Sequence, residues 1–243
     1  NGADLPQVAA KAKMETKSPN EGLSRALKER LDYVYPYDLL KNVQSKISVS
    51  VLANKAESDK YAFTSKPSFM TNNGISGAGY GTAMHKIMEY FDFSNYKDVN
   101  SELERLYEWQ FITEEEKEAV SVEGLQAFFE SNIFARIKAA SRVEREMRFI
   151  TEIMASKIEP ELKNSGVDEE IIVQGAVDVC FIENNELVIL DFKTDRVEDI
   201  NQLAETYGEQ LSIYALACEK IFGLKVKEKV IYSFAKSGTV TIK

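Results

Sequence analysis

Between Gly175 and Lys193 two apolar runs flank the dipeptide Asn184-Asn185. This pattern dictates a β-hairpin and its register. Asn tolerates the left-handed backbone that a two-residue hairpin turn requires. With that turn, Glu183 faces Glu186, and the numbers of paired residues sum to a constant. Counting back, Asp178 falls opposite Asp191. Lys193 lies two residues beyond Asp191 and therefore points to the same face. Strands are expected over 171–182 and 187–194, where Val, Ile and Phe dominate.

Two carboxylates facing each other between apolar strands repel, and the strands hydrate them poorly. A divalent cation resolves that conflict, because hard cations prefer carboxylate oxygens. A lysine beside such a site can orient or deprotonate a water, or stabilise charge on a phosphate. The competing reading places both aspartates at strand ends in water, with Lys193 in an ordinary surface ion pair. A turn slipped by one residue would also put them on opposite faces.

The rest of the chain predicts an α/β protein, with a helical front half followed by a small mixed sheet. Residues 1–20 are polar and aperiodic, a flexible leader. Leu23, Ala26, Leu27 and Leu31 recur at helical spacing. Lys46 to Leu52 alternates briefly and then turns helix-compatible, with Ser48 or Ser50 able to cap a helix reaching about Asp59. Residues 64–80 read as a loop, and Thr82 as the N-cap of a helix carrying Met84, His85, Ile87, Met88 and Phe91. Residues 99–140 predict two or three helices, one opened by the capping box Thr113 to Glu116. Val143 to Thr151 alternates as a strand. A long helix over 199–222 ends at Gly223, and strands follow at 226–234 and 239–242. The helical part thus spans 21–140 and the sheet-containing catalytic core 141–243, together one domain.

No apolar run approaches the length that spans a bilayer, and the N-terminus lacks a secretory pattern. Cys180 and Cys218 are too few for a disulfide framework and sit among apolar residues, so buried free thiols are expected. A cytoplasmic protein without membrane partners follows. The net charge of -9 opposes a domain that holds nucleic acid by its own field. It does not oppose a carboxylate metal site. No Gly-x-x-x-x-Gly-Lys-[Ser/Thr] loop is present, so this chain is not itself an ATP-driven motor.

Gly175-x-x-Asp178 followed by Asp191-Phe192-Lys193-Thr194-Asp195 resembles the PD-(D/E)XK nuclease family, which has a restriction-endonuclease-like fold. Gly81-Thr-Ala-Met-His85 and Gln210-Leu-Ser-Ile-Tyr214 add the upstream histidine and downstream Gln-x-x-x-Tyr of its RecB-like branch. Lys46 to Ser50, Arg145-Glu146-Met-Arg-Phe149, Val173-Gln-Gly175 and Tyr207-x-x-Gln210 are similar to the nuclease domains of AddA-type helicase/nuclease subunits. Arg148 stands where such domains often have proline, and Val51-Leu52-Ala53-Asn54 where they have a Glu-Lys pair. The resemblance covers roughly residues 25–243. It implies that His85, Asp178, Asp191 and the backbone carbonyl of Phe192 ligate Mg2+ or Mn2+. It further implies that Lys193 positions the attacking water, and that Gln210 and Tyr214 contact the active centre or the DNA strand. The implied reaction is phosphodiester hydrolysis in double-strand-break repair and recombination. The implied partners are single-stranded DNA, a helicase module of the same parent chain and a second helicase/nuclease subunit. The four cysteines that hold an iron–sulfur cluster in some relatives are absent, so no cluster is expected.

Taken singly, His85 reads as a structural histidine and Tyr214 as core. Glu146, two residues from Glu144, reads as part of a solvated acidic face, with a place beside the site as its alternative. Glu114-Glu115-Glu116 reads as the first turn of a helix. The alternative to an enzyme is a non-catalytic nuclease-like module that binds DNA or a partner. A metal-dependent phosphohydrolase on an unrelated fold is the third reading.

Overall fold

The computed structural model describes residues 25, 27–28, 30–32, 40, 43–49, 77–163, 166 and 168–242. The chain divides into two compact units, Asn1–Asn42 and Val43–Lys243. In the first, the described positions Arg25, Leu27, Lys28, Arg30 and Leu31 are helical. The leader and the helix expected up to Asp59 lie outside the described residues.

In the second unit the described strands are β1 (Lys46–Ser48), β2 (Arg142–Met154), β3 (Glu170–Glu183), β4 (Glu186–Lys193), β5 (Val226–Ser233) and β6 (Gly238–Ile242). The described helices are α1 (Gly77–Tyr90), α2 (Val99–Glu108), α3 (Glu114–Ala119), α4 (Val122–Phe129), α5 (Asn132–Ala139) and α6 (Asn201–Phe222). Residues 99–140 thus hold four helices rather than two or three. Each begins at its own side-chain cap, Asp98, Thr113, Ser121 or Ser131, which accepts a hydrogen bond from a first-turn N–H. Thr113 and Glu116 form the expected capping box.

Helix α1 starts earlier than the loop reading allows. Gly77 to Gly81 are helical, and Thr82 does not cap: its hydroxyl donates back to Ala78 O at 3.0 Å. Tertiary packing explains this use of glycine inside a helix. A Cβ on Gly81 would sit 3.2 Å from Thr194 Oγ1, so the bare backbone lets α1 press against the end of β4.

The sheet runs β1-β3-β4-β5-β6, with β2 also paired to β3. The hairpin is as the sequence dictates. Glu183 pairs with Glu186 across Asn184 (φ 54°) and Asn185 (φ 65°). Strands β4 and β5 are parallel, so their connection must cross over a face of the sheet, and α6 is that crossover. Leu203, Tyr207 and Leu211 of α6 pack on Ile231. The opposite face carries a larger core against α1, α2, α4 and α5. Phe128 meets Phe192 and Tyr232 edge-on, with centroids 5.3 and 5.0 Å away. Truncating so buried a ring to alanine typically costs about 3–5 kcal/mol. Gly223 closes α6 in the left-handed conformation, φ 67°.

Strand β3 is the organising element of the sheet. One edge is taken by β2. The other is shared, by β1 along Ile172–Gln174 and by β4 along Val179–Glu183. Pairing with β4 stops at Val179–Leu190, while β4 continues beside β5 to Lys193. The two strands therefore part where Asp178 and Asp191 stand.

Candidate active site

Both aspartates at this fork are buried, Asp178 at 8% and Asp191 at 2% exposure. The fork also frees a backbone group, and Asp178 satisfies it. Phe192 N–H donates to Asp178 Oδ2 at 2.7 Å, replacing the ladder bond that the divergence leaves unmade.

Two further elements close on Asp178. From α1, His85 Nδ1 lies 3.4 Å from Asp178 Oδ1 and 3.8 Å from Glu146 Oε1. From β2, Glu146 reaches the same point through a left-handed backbone, φ 45°, in mid-strand. The strand pairs normally on either side of it, Arg145 with Val179 and Met147 with Val177. A non-glycine residue held there costs on the order of 1–3 kcal/mol and clusters at functional sites. One ligand atom from each of His85, Glu146 and Asp178 lies within 4.8 Å of the others. Alternation alone assigns Glu146 to a solvated face. The broken alternation that turns it inward has no signature in residue type.

Asp191 is supported from α6 and β4. Lys193 Nζ stands 2.6 Å from Asp191 Oδ2 as an ion pair without hydrogen-bond alignment, so no donor is aimed at that buried oxygen. The ammonium lies 4.2 Å from the Tyr207 ring centroid, and Tyr207 donates to Asp195 Oδ2 at 3.2 Å. Gln210 and Tyr214, one turn apart, are both buried. Gln210 Nε2 donates to Tyr214 Oη at 2.9 Å and reaches Asp191 Oδ1 at 3.5 Å. The pair thus faces Asp191. Gly175 makes room for it: a Cβ there would lie 3.0 Å from Phe149 Cζ and 3.2 Å from Tyr214 Cε1.

The charges do not balance. Burial works to lower the pKa of His85, but the charge of Asp178 and hydrogen bonding to Asp178 and Glu146 push it up to about 10. Burial works to raise Asp178, yet His85 holds its carboxyl below the usual range. Asp191 is pushed up to about 6 by burial and by the charge of Asp178, against the pull of Lys193. Burial opposes the charge on Lys193, and Asp191 and Asp178 outweigh it. An open cavity of about 420 Å³ adjoins the cluster, lined among others by Thr82, His85, Glu146, Asp178, Lys193 and Asp195.

Carboxylate oxygens and one imidazole, with no thiolate, make a donor set for a hard divalent cation. The donorless Asp191 Oδ2 fits the same group. Cys180 and Cys218 are buried free thiols, as expected.

The order of these residues along the fork is that of a restriction-type nuclease. The PD-(D/E)XK nuclease superfamily profile matches residues 60–241, and the chain belongs to that superfamily. Its six described strands flanked by helices form the restriction-endonuclease-like α/β arrangement. Among curated relatives, the chain is similar to the A subunits of bacterial ATP-dependent helicase/nucleases. It is 32% identical over 237 residues to that of Clostridium kluyveri, covering 92% of this chain and 19% of that protein. It is 34% identical over 234 residues to that of Clostridium acetobutylicum, covering 89% and 19%. For that of Clostridium botulinum the identity is 34% over 228 residues, covering 88% and 18%. The chain thus spans about a fifth of the length of these relatives. No described helix is long and apolar enough to cross a membrane.

Proposed function

We propose that residues 21–243 form a divalent-metal-dependent nuclease domain that hydrolyses DNA phosphodiester bonds within a helicase/nuclease involved in double-strand-break repair and recombination. The observation that carries this reading is the fork. Two buried carboxylates sit where strands part, and His85 and Glu146 are brought onto one of them from separate elements. His85, Glu146, Asp178, Asp191 and the carbonyl of Phe192 would hold Mg2+ or Mn2+. A bound ion supplies Lewis-acid polarisation of the phosphate and lowers the pKa of water.

The side chains do the rest. Lys193, held between Asp191 and the Tyr207 ring, orients the attacking water and stabilises charge on the phosphate. Gln210 and Tyr214 keep Asp191 facing the fork, and from there border the DNA strand. The net charge of -9 suits a strand delivered by other parts of a longer protein. The relatives' names supply those parts: a helicase module in the same parent chain and, with it, a second subunit. Single-stranded DNA is the substrate that a helicase would present.

Cleavage of end-labelled single-stranded DNA in Mg2+ or Mn2+ tests this, comparing the chain with Lys193→Ala. Metal-dependent cleavage lost in the variant is the expected result. Equal cleavage by both places the chemistry elsewhere. No cleavage by either, with Mn2+ still bound, favours a non-catalytic module that binds DNA or a partner.

A further inference from the structure

We propose that Arg145 is a positioning residue that locks α1 to β2 and so sets His85 against Glu146 and Asp178, an inference that rests on the nuclease reading above. Its Nη1 donates to two carbonyls at the end of α1, Met88 O at 3.1 Å and Phe91 O at 2.6 Å. Its guanidinium carbon lies 4.3 Å from the Phe93 ring centroid. The last turn of α1 contains no basic residue of its own. Helix ends leave carbonyls without intrahelical partners and favour a cation there. Here the cation comes from another element.

What makes this more than a cap is the neighbour. Arg145 and Glu146 are consecutive, and the left-handed backbone at Glu146 lets both touch the same helix. Arg145 grips its end. Glu146 approaches His85, three residues before Met88. The strand thus holds α1 at two points, and sliding or rotating the helix moves His85 away from Asp178. Lys86, paired with Glu116, ties α1 to α3 but not to the strand.

His85 is the only histidine, so its ring C–H resonances in NMR spectra of the full chain are unambiguous. Arg145→Met, Arg145→Lys and the control Arg136→Met are compared in the metal-free protein, and Mn2+ affinity is then measured by calorimetry. Arg145→Met is expected to shift and broaden the His85 resonances. It should weaken Mn2+ about 10- to 100-fold, the usual loss when a group that orients metal ligands is removed. Arg145→Lys should fall between, and Arg136→Met should leave both readouts at the parental value. Parental resonances and affinity in Arg145→Met overturn the proposal. So do equal changes in Arg136→Met, which would reduce the effect to general destabilisation. Should Arg145→Met not fold, Arg145→Lys decides on the same two readouts. If the parent binds no Mn2+, the nuclease reading falls, and the His85 resonances alone still judge Arg145.

Discussion

The two ends of the β3–β4 hairpin carry the same kind of side chain and treat it in opposite ways. At the turn, Glu183 and Glu228 meet Arg136, each at 2.9 Å, and Lys227 also pairs with Glu183. Two acids face two bases, and the hydrogen bonds of Arg136 hold Glu183 down to about 2. At the fork, Asp178, Asp191 and Glu146 face one lysine and one histidine, and Asp191 is pushed up to about 6. A protein that neutralises its acids at one end of a hairpin is not short of means to do so at the other. The fork is left in deficit by a cation's worth of charge, and a strained residue is kept in place to deepen that deficit.

The largest expected effect comes from removing charge at the fork. Asp178→Asn keeps an acceptor for Phe192 N–H but removes a ligand. Cleavage should fall by about three orders of magnitude or more, since a bound ion contributes several kcal/mol to the transition state. Calorimetric Mn2+ binding should fall with it. Undiminished Mn2+ uptake would detach the charge deficit from metal binding. At the turn the response should be structural. Arg136→Met strands two partly buried carboxylates and should lower stability by about 2 kcal/mol in urea titrations. The folded fraction should cleave at the parental rate. A parallel loss of cleavage would mean the two ends are coupled.

The hairpin was legible because an Asn-Asn turn admits one register, which alone puts Asp178 opposite Asp191. The sheet's order after β4 was legible in outline from strand and helix periods. Three things were not. Glycines at 77, 79 and 81 read as loop because their intrinsic preference opposes a helix, and contact with Thr194 overrides it. Glu146 read as outward-facing because alternation presumes a regular strand, and its φ of 45° breaks that presumption. Tyr207 beneath Lys193 depends on where the crossover helix lands on the sheet, which no local pattern encodes.

A smaller effect separates the ends by pH. The folded pKa of Glu183 lies near 2, below its unfolded value of about 4.3. Its stabilisation is therefore complete above that unfolded value and disappears as pH falls toward 2. Glu183→Gln should lower stability at pH 7 by about 1 kcal/mol, the worth of a hydrogen-bonded pair near the surface. It should also flatten the stability profile between about pH 4.5 and 2, read by urea midpoints. A profile as steep as the parent's would place the acid sensitivity at another carboxylate.

The smallest effect belongs to the support of the fork. Tyr214→Phe removes the oxygen that accepts from Gln210 Nε2 at 2.9 Å, and leaves the ring against Phe149 at 6.0 Å. Gln210 then has only the 3.5 Å contact with Asp191 Oδ1 for its amide, with Gln210 Oε1 already without a partner. The loss of one hydrogen bond, about 1 kcal/mol, corresponds to a few-fold change if it acts on the position of Asp191. Single-turnover cleavage with saturating Mn2+ should slow by that factor, with Mn2+ affinity nearly unchanged. A loss as large as that of Asp178→Asn would show the Tyr214 hydroxyl taking part in the chemistry rather than steadying the carboxylate beside it.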